Sequence, residues 1–414
     1  MAVLNRMNVA YPKPRRVGII STMWGAPWGG SEELWARTAQ RALETGAKVS
    51  ICLPHRPHPN HEELRTLEKA GADVFCLADS RLYVQARHLS RVAGVLHCGL
   101  GRYLRDHLSP LPVFFSTQFD VLLLSEGGSI PPIELIEAIE HYHVPRPYLI
   151  LSQANAGDLP ETEHRRRTAA FYRNARFALF VSESNWRATE RQLTEKIVNA
   201  RVVKNPVNLD CTDTVPWPQE KAISFASVAR LNTFTKGQDI LFEVLSDPRW
   251  RHRDWHLCLY GGGDHDLYLQ ELARFYGLRD RIKFRGQTKD IRKVWQKHHA
   301  LVLPSRIEGT PLVMVEAMIC GRPVIGTAVA GIPEWVKHGY SGFLADAPAV
   351  NCFAAALEAA WQQRANWQLM GSNARKDALR LYDPTPADTL ISLLDEAACR
   401  RQASGASFVA ALAE

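Results

Sequence analysis

Two acids and two cations pose the chemical question of this chain. Glu308 and Glu316 lie in the stretch ALVLPSRIEGTPLVMVEAMICGRPVIG, which starts at Ala300. Glu308 falls in a polar turn with a glycine, and Glu316 sits between Val315 and Ala317. Ala300 to Pro304 is a short apolar run and reads as a buried strand. Pro311 suits the first helical position, where its missing N–H costs nothing. Leu312 to Cys320 continues as a helix until Gly321-Arg322-Pro323 stops it. Val324 to Thr327 is apolar and β-branched, a second strand. In such a unit the helix N-terminus holds anions, phosphate above all, on free backbone N–H groups. Glu308 is then at the ligand and Glu316 one to two turns in. The plainer account makes both of them solvated acids, and it suits Glu316 poorly on so apolar a helix. Upstream, Arg230 ends the strand AISFASVAR, and Lys236-Gly237 closes the loop after it. Two cations near a helix N-terminus suit a diphosphate.

A chain of 414 residues is too long for one ordinary core and implies two domains. Its 50 Lys and Arg against 43 Asp and Glu give a net charge of +7. The sequence pI is about 9.0. That excess fits an anionic ligand or an anionic membrane surface. The run Arg165-Arg166-Arg167 lacks aromatic interleaving and reads as a solvated helix face, so no nucleic-acid partner is expected. The eight cysteines are scattered singly, with no C-x-x-C pair. Several lie in apolar runs (Cys52, Cys258, Cys320), which favours a reducing cytosol over a disulfide framework. No apolar stretch reaches the ~18 residues of a membrane span. No signal-peptide hydrophobic region follows Arg6, Lys13, Arg15 and Arg16. The expectation is a cytoplasmic protein, with peripheral contact at the inner face of a membrane as the most that would join it to one.

The elements alternate throughout. RVGIIS (Arg16 to Ser21) reads as a strand. The glycine-rich loop from Gly25 to Ser31 then leads into a helix with Glu32 and Glu33 in its first turn, ending near Gly46. Val49 to Leu53 is the next strand, the start of a doubly wound parallel sheet. Gly29 and Gly30 allow the backbone to approach a ligand closely, or simply make a tight turn. Trp24 and Trp28 flank them and either stack on a sugar or pin the loop. His55, His58 and His61 lie in the proline-rich PHRPHPNH without a helix to pair two of them, so no metal is expected. Helices are read at Glu62 to Ala70, Ser80 to Asp106, Pro132 to His141, Glu163 to Asn174 and Ser182 to Gln192. Strands are read at Ala72 to Leu77, Val121 to Leu124, Tyr148 to Leu151 and Ala178 to Val181. Gln153 and Asn155 follow one of these strands, where such sheets place ligand contacts.

The segment Asp210 to Glu220 reads as a link, after which a second alternation begins at Ile223. Arg230 to Gln238 reads as a loop, and HLCLY runs into Gly261-Gly262-Gly263. This glycine run lacks the third fingerprint glycine and an acid about 20 residues on, so dinucleotide binding is not expected. The last helix, from Pro386 to Arg400, is free to pack on either domain. The expected organisation is α/β, with residues 1–209 and 210–385 as two Rossmann-like domains facing a central cleft and 386–414 as a terminal helix.

With these motifs in order, the chain resembles the retaining GT-B glycosyltransferases of family four. The resemblance rests on VARLNTFTKG, CLYGGGD, IKFRGQTKDI and SRIEGTPLVMVEAMICGRPVIGTAVAGIPEWVKHGYSGFL, joined by GGSEELWARTAQRALETGAKVSI and NPVN in the first half. It implies transfer of a hexose from a UDP- or GDP-linked donor to a sugar or glycolipid hydroxyl, with retention at the anomeric carbon. It also implies roles. Arg230 and Lys236 would hold the diphosphate and neutralise the leaving group. Glu308 would contact donor-sugar hydroxyls. Backbone N–H groups of Gly309, Thr310, Pro311, Leu312 and Val313 (proline lending only its place) would surround the distal phosphate. Glu316 would take the ribose, and Arg285 and Gly286 would lie by the base. Gly29, Gly30 and Ser31 would reach the diphosphate or acceptor. No metal or other cofactor is implied, since these cations and the helix dipole supply positive charge.

Two departures stand out. Where family members often carry a histidine, PYLILSQAN has Gln153 and Asn155, and an amide cannot act as a base. AVAGIPE has Ala330 where a glycine is common. Two other readings compete with a transferase: an epimerase or phosphorylase on the same fold, and an inactive protein that binds nucleotide sugars. A phosphorylase would need a cofactor lysine and a phosphate pocket, for which the sequence offers nothing.

Overall fold

Two parallel sheets organise the chain, as seen in a computed structural model describing residues 16–23, 28–55, 61–77, 111–155, 157–209, 214–288 and 290–410, with side chains to residue 399. Trp24, His58 and the helix read at Ser80 to Asp106 lie outside the described residues. The first sheet comprises β1 (Arg16–Ser21), β2 (Lys48–Leu53), β3 (Asp73–Cys76), β4 (Val121–Glu126), β5 (Tyr148–Ser152), β6 (Phe177–Phe180) and β7 (Ala200–Val202). Their order is β3-β2-β1-β4-β5-β6-β7. The second comprises β8 (Ile223–Val228), β9 (Trp255–Tyr260), β10 (Ile282–Phe284), β11 (Ala300–Leu303), β12 (Val324–Thr327) and β13 (Gly342–Ala345), in the order β10-β9-β8-β11-β12-β13. Every pair is parallel; in the first sheet Val17 stands opposite both Val49 and Val121.

Each sheet therefore reverses direction once, between β1 and β4 and between β8 and β11. A crevice opens at the carboxyl ends of the strands at such a reversal. The strands are apolar because helices cover both faces. Trp35, on the helix Gly30–Glu44, is fully buried against the first sheet, and Trp295 plays the same part in the second.

The final helix, Pro386–Ala410, returns to the first domain. Leu390, Leu394 and Ala397 join the core around β1 and β4. Arg41 holds Asp388 at 2.7 Å. Two local readings shift. Arg230 to Gln238 is not all loop, because Asn232 accepts the Thr235 N–H at 3.1 Å and starts a one-turn helix, Thr233–Lys236. Pro311 stands one position before the first helical residue, at the N-cap of Leu312–Ile319, with φ of −61° and ψ of 122°.

Candidate active site

The turns at the two reversals meet. Arg230 and the Thr233–Lys236 turn follow β8, Glu308 to Pro311 follow β11, and Gly29-Gly30 follow β1. Lys236 Nζ lies 2.8 Å from Glu308 Oε1. Glu308 is buried while Lys236 keeps about a quarter of its side chain exposed (24%). An acid held this way is oriented by the cation yet still faces the crevice. Behind them, Arg306 pairs with Asp239 through both guanidinium nitrogens, at 2.7 and 2.8 Å, and fixes the turn from below. Arg230 makes no ion pair among the described residues. Its Nη2 stands 3.4 Å from where a Gly29 Cβ would be.

The loop around Glu308 is clamped against the first domain. Thr310 Oγ1 donates to the Val181 carbonyl at 2.8 Å. A Cβ on Gly309 would come within 1.9 Å of the Gln153 carbonyl, so only glycine permits this approach. Gly30 opens the helix on the other side, where an added Cβ would lie 2.9 Å from Leu312 Cδ1. Ser31 is the next residue, and its hydroxyl donates to Glu32. Ser184 N–H reaches Glu334 Oε1 across the domains at 2.8 Å.

Glu316 is buried beneath the loop, and its Oε1 accepts the Asn208 N–H at 3.1 Å. Burial pushes its carboxyl up to about 7, with Glu33 adding to the rise and the Asn208 N–H opposing it. NPVN and the Glu316 helix are thus joined. Gln153 is equally committed: its Nε2 donates to Ser31 O at 3.2 Å and its Oε1 accepts from Asn205 Nδ2 at 3.1 Å. It ties β5 to the glycine turn and to NPVN. Asn155 points elsewhere, donating to Thr189 and Gln192 of the first domain at 3.1 Å each. Trp28 pins its own loop, with Nε1 on Glu33 at 3.1 Å and its ring against Trp35 and His61. Arg285 and Gly286 follow β10 and are exposed; the Gly286 carbonyl accepts from Gly261 N–H at 2.8 Å. No group of His, Cys, Asp and Glu suited to a metal occurs among the described residues.

Sequence reasoning passes over one buried acid, which reads as part of a turn, SEGG. Glu126 ends β4 at the first reversal and is almost wholly buried. Its Oε2 accepts from Thr22 Oγ1 at 2.6 Å, while Oε1 has no partner among the described residues. Burial pushes it up to about 7. Its position at the end of the strand FDVLLLSE is the available signal.

The twin reversals, with both crevices facing one another, define a GT-B fold. Three-dimensional likeness agrees: Anabaena Alr3699/HepE, solved in complex with UDP and glucose, superposes with a TM-score of 0.67 at 18% identity, over 92% of this chain and 98% of that one. The model of the family Glycosyl transferases group 1 matches residues 222–363, in the second domain. An uncharacterized glycosyltransferase of Haemophilus influenzae is 32% identical over 158 residues, 38% of this chain and 43% of the relative. A human component of phosphatidylinositol N-acetylglucosaminyltransferase is 30% identical over 155 residues, 36% of this chain and 32% of the relative. The matched stretches thus span less than half of these curated relatives.

Proposed function

We propose that the chain is a retaining glycosyltransferase that moves a hexose from a nucleotide-diphosphate sugar to a hydroxyl acceptor in the interdomain crevice. The Lys236–Glu308 pair carries this reading, since it sets a cation and an acid together at the second reversal, opposite the glycine turn of the first. Lys236 and Arg230 bind the diphosphate and stabilise charge on it as the glycosidic bond breaks. The helix at Leu312 adds its N-terminal N–H groups. Glu308, turned by Lys236, accepts hydrogen bonds from donor-sugar hydroxyls. Glu316 takes the ribose, and Arg285 with Gly286 lies by the base.

The commitment of Gln153 to Ser31 and Asn205 supports a mechanism without a first-domain base at that position. The departing phosphate then takes the acceptor proton, and the new bond forms on the face the leaving group vacates. The positive charge of Arg230, Lys236 and the helix N-terminus supports a metal-independent reaction. The HepE structure was solved with UDP and glucose, which favours a UDP-linked donor; a GDP-linked one is the comparison. The human relative's name includes phosphatidylinositol, which supports a sugar or glycolipid acceptor presented at a cytoplasmic membrane face. Among the described residues no helix is long and apolar enough to cross a membrane.

The test is a panel of UDP- and GDP-hexoses with the full chain, read as nucleotide release and as thermal shift, followed by the anomeric configuration of the product. One donor should raise the melting temperature and release nucleotide faster with acceptor present. Inverted product would remove the retaining assignment. Binding without turnover on any acceptor would favour an inactive nucleotide-sugar-binding protein.

A further inference from the structure

The flank of the second sheet carries a recess whose lining, Arg285 aside, has no part in the proposed sugar transfer. A parallel strand covered on both faces presents apolar side chains on both. β9 does so on one face, where Trp255, Leu257 and Leu259 enter the core. On the other it shows His256, Cys258 and Tyr260; the edge strand β10 adds Lys283, and Arg285 follows directly after it. The helix Ile291–Lys297 forms the opposite wall and contributes Lys293 and Lys297. The half-open space between them is about 450 Å³, within the range of small-molecule sites.

Charge gives the recess its character. Among the described residues, four permanent cations line it against two acids, Glu220 and Asp290. Lys293 is taken up by Asp290 at 2.9 Å. Lys283 and Lys297 form no ion pair among the described residues and are exposed. The floor is polar but neutral. His298, buried, lies between Ser224 Oγ at 2.5 Å and the Tyr260 hydroxyl at 2.9 Å. Burial, with His256, Arg285 and Lys297 nearby, holds it down at about 3. Like charges gathered in one recess repel each other, and an anion bound between them removes that cost. Lysine serves phosphate well as a point charge.

We propose that this recess binds a phosphate-bearing anion outside the interdomain crevice, with Lys283 and Lys297 as its principal cations. Arg230, Lys236 and Glu308 do not line it, whereas Arg285 does and is shared with the proposed donor site. The shared chemistry is a phosphate group, carried either by a soluble di- or oligophosphate or by a phosphorylated lipid headgroup.

Inorganic pyrophosphate is the probe, titrated calorimetrically into the full chain, into Lys236→Ala and into Lys283→Ala/Lys297→Ala. Both lysines of the double variant are exposed, so the fold should persist, and an unchanged melting temperature checks it. The double substitution should weaken one pyrophosphate site at least about tenfold, while Lys236→Ala leaves that site intact. Equal binding by the wild type and the double variant would overturn the proposal, as would loss of all binding in Lys236→Ala. Phosphatidylcholine vesicles with and without phosphatidic acid separate the sources. Sedimentation with phosphatidic acid vesicles that the double variant loses assigns a lipid headgroup, whereas pyrophosphate binding without sedimentation assigns a soluble phosphate. Sedimentation unaffected by the double variant, together with unaffected pyrophosphate binding, would leave the recess no role.

Discussion

Lys236 Nζ and Glu308 Oε1 stand 2.8 Å apart, although 72 positions separate them in the chain. The contact joins the turn after β8 to the turn after β11 across the reversal of the second sheet. On the proposed function, Lys236→Ala and Glu308→Ala should each lower kcat/KM by about 100-fold or more, as loss of a transition-state contact does. Because each residue orients the other, the double variant should lose less than the product of the two single losses. Steady-state nucleotide release measures this. Turnover at the wild-type rate in either single variant would remove the pair from the site.

Gly30 and Leu312 form a second contact across the crevice. Gly30→Ala places a Cβ 2.9 Å from Leu312 Cδ1, closer than side chains tolerate, so the turns must separate or the leucine must move. The expected outcome is a reduced kcat with little change in melting temperature, since Gly30 is exposed. Gly30→Ala/Leu312→Ala removes the colliding atoms and should recover much of the loss. If the double variant is no better than Gly30→Ala, the defect lies in the backbone rather than in this contact.

Ala330 has φ of 47°, the left-handed region that side chains avoid. Its cost there is roughly 1–2 kcal/mol. Glycine would relieve it but would also loosen the unfolded chain by about 0.4–1 kcal/mol. Ala330→Gly should therefore be neutral to stabilising, by up to about 1.6 kcal/mol, the balance of the two. Chemical denaturation reads the difference; a clear destabilisation would show that the Ala330 methyl makes a contact worth more than the strain.

The second domain is legible in the sequence because its chemistry sits in short local units. Each of Arg230, Lys236, Glu308 and Glu316 lies beside the turn that places it, so strand and loop signals are enough to bring them to one end of the sheet. The first domain is less so. Gln153 draws its partners from Ser31 and Asn205, residues 122 and 52 positions away, and no spacing announces such a bridge. Its amide, read as a ligand contact at the end of a strand, binds Ser31 and Asn205 of the protein itself. Trp28 leaves two readings open, and its contacts with Glu33, Trp35 and His61 favour the pinned loop. The one-turn helix before Gly237 escapes the sequence because its signal is a single cap, Asn232. Glu126 is hidden by its neighbours: beside Gly127 and Gly128 it reads as a turn residue, and only the sheet order puts it at the first reversal.

Glu126 also makes stability depend on pH in a way that a substitution can isolate. Its carboxyl is raised from the ordinary 4.5 to about 7, by burial first, with the Thr22 hydroxyl opposing the rise. Well below 4.5 it is protonated in both the folded and unfolded chain and has no effect on the balance. Between 4.5 and about 7 the folded chain keeps a proton that the unfolded chain has released, so this group's contribution falls as pH rises, and it stays low above that window. A shift of this size corresponds to about 3 kcal/mol at most. His298 acts in the opposite sense. Its neutral form is favoured by folding, so its contribution is present above 6.5 and is lost as pH falls toward about 3. The wild-type profile sums these with Glu316, which burial raises in the same way, and hides each. Glu126→Gln keeps an oxygen for Thr22 but puts an amide N–H where Oε1 has no partner, a constant cost of about 1–3 kcal/mol. Against that constant, the variant should gain on the wild type as pH is raised from about 5 to about 8, by a few kcal/mol at the upper end. Parallel denaturation curves at the two pH values measure the difference. An offset that does not change with pH would mean that Glu126 is ionised in the folded protein throughout, and that its buried oxygen has found a partner in the crevice.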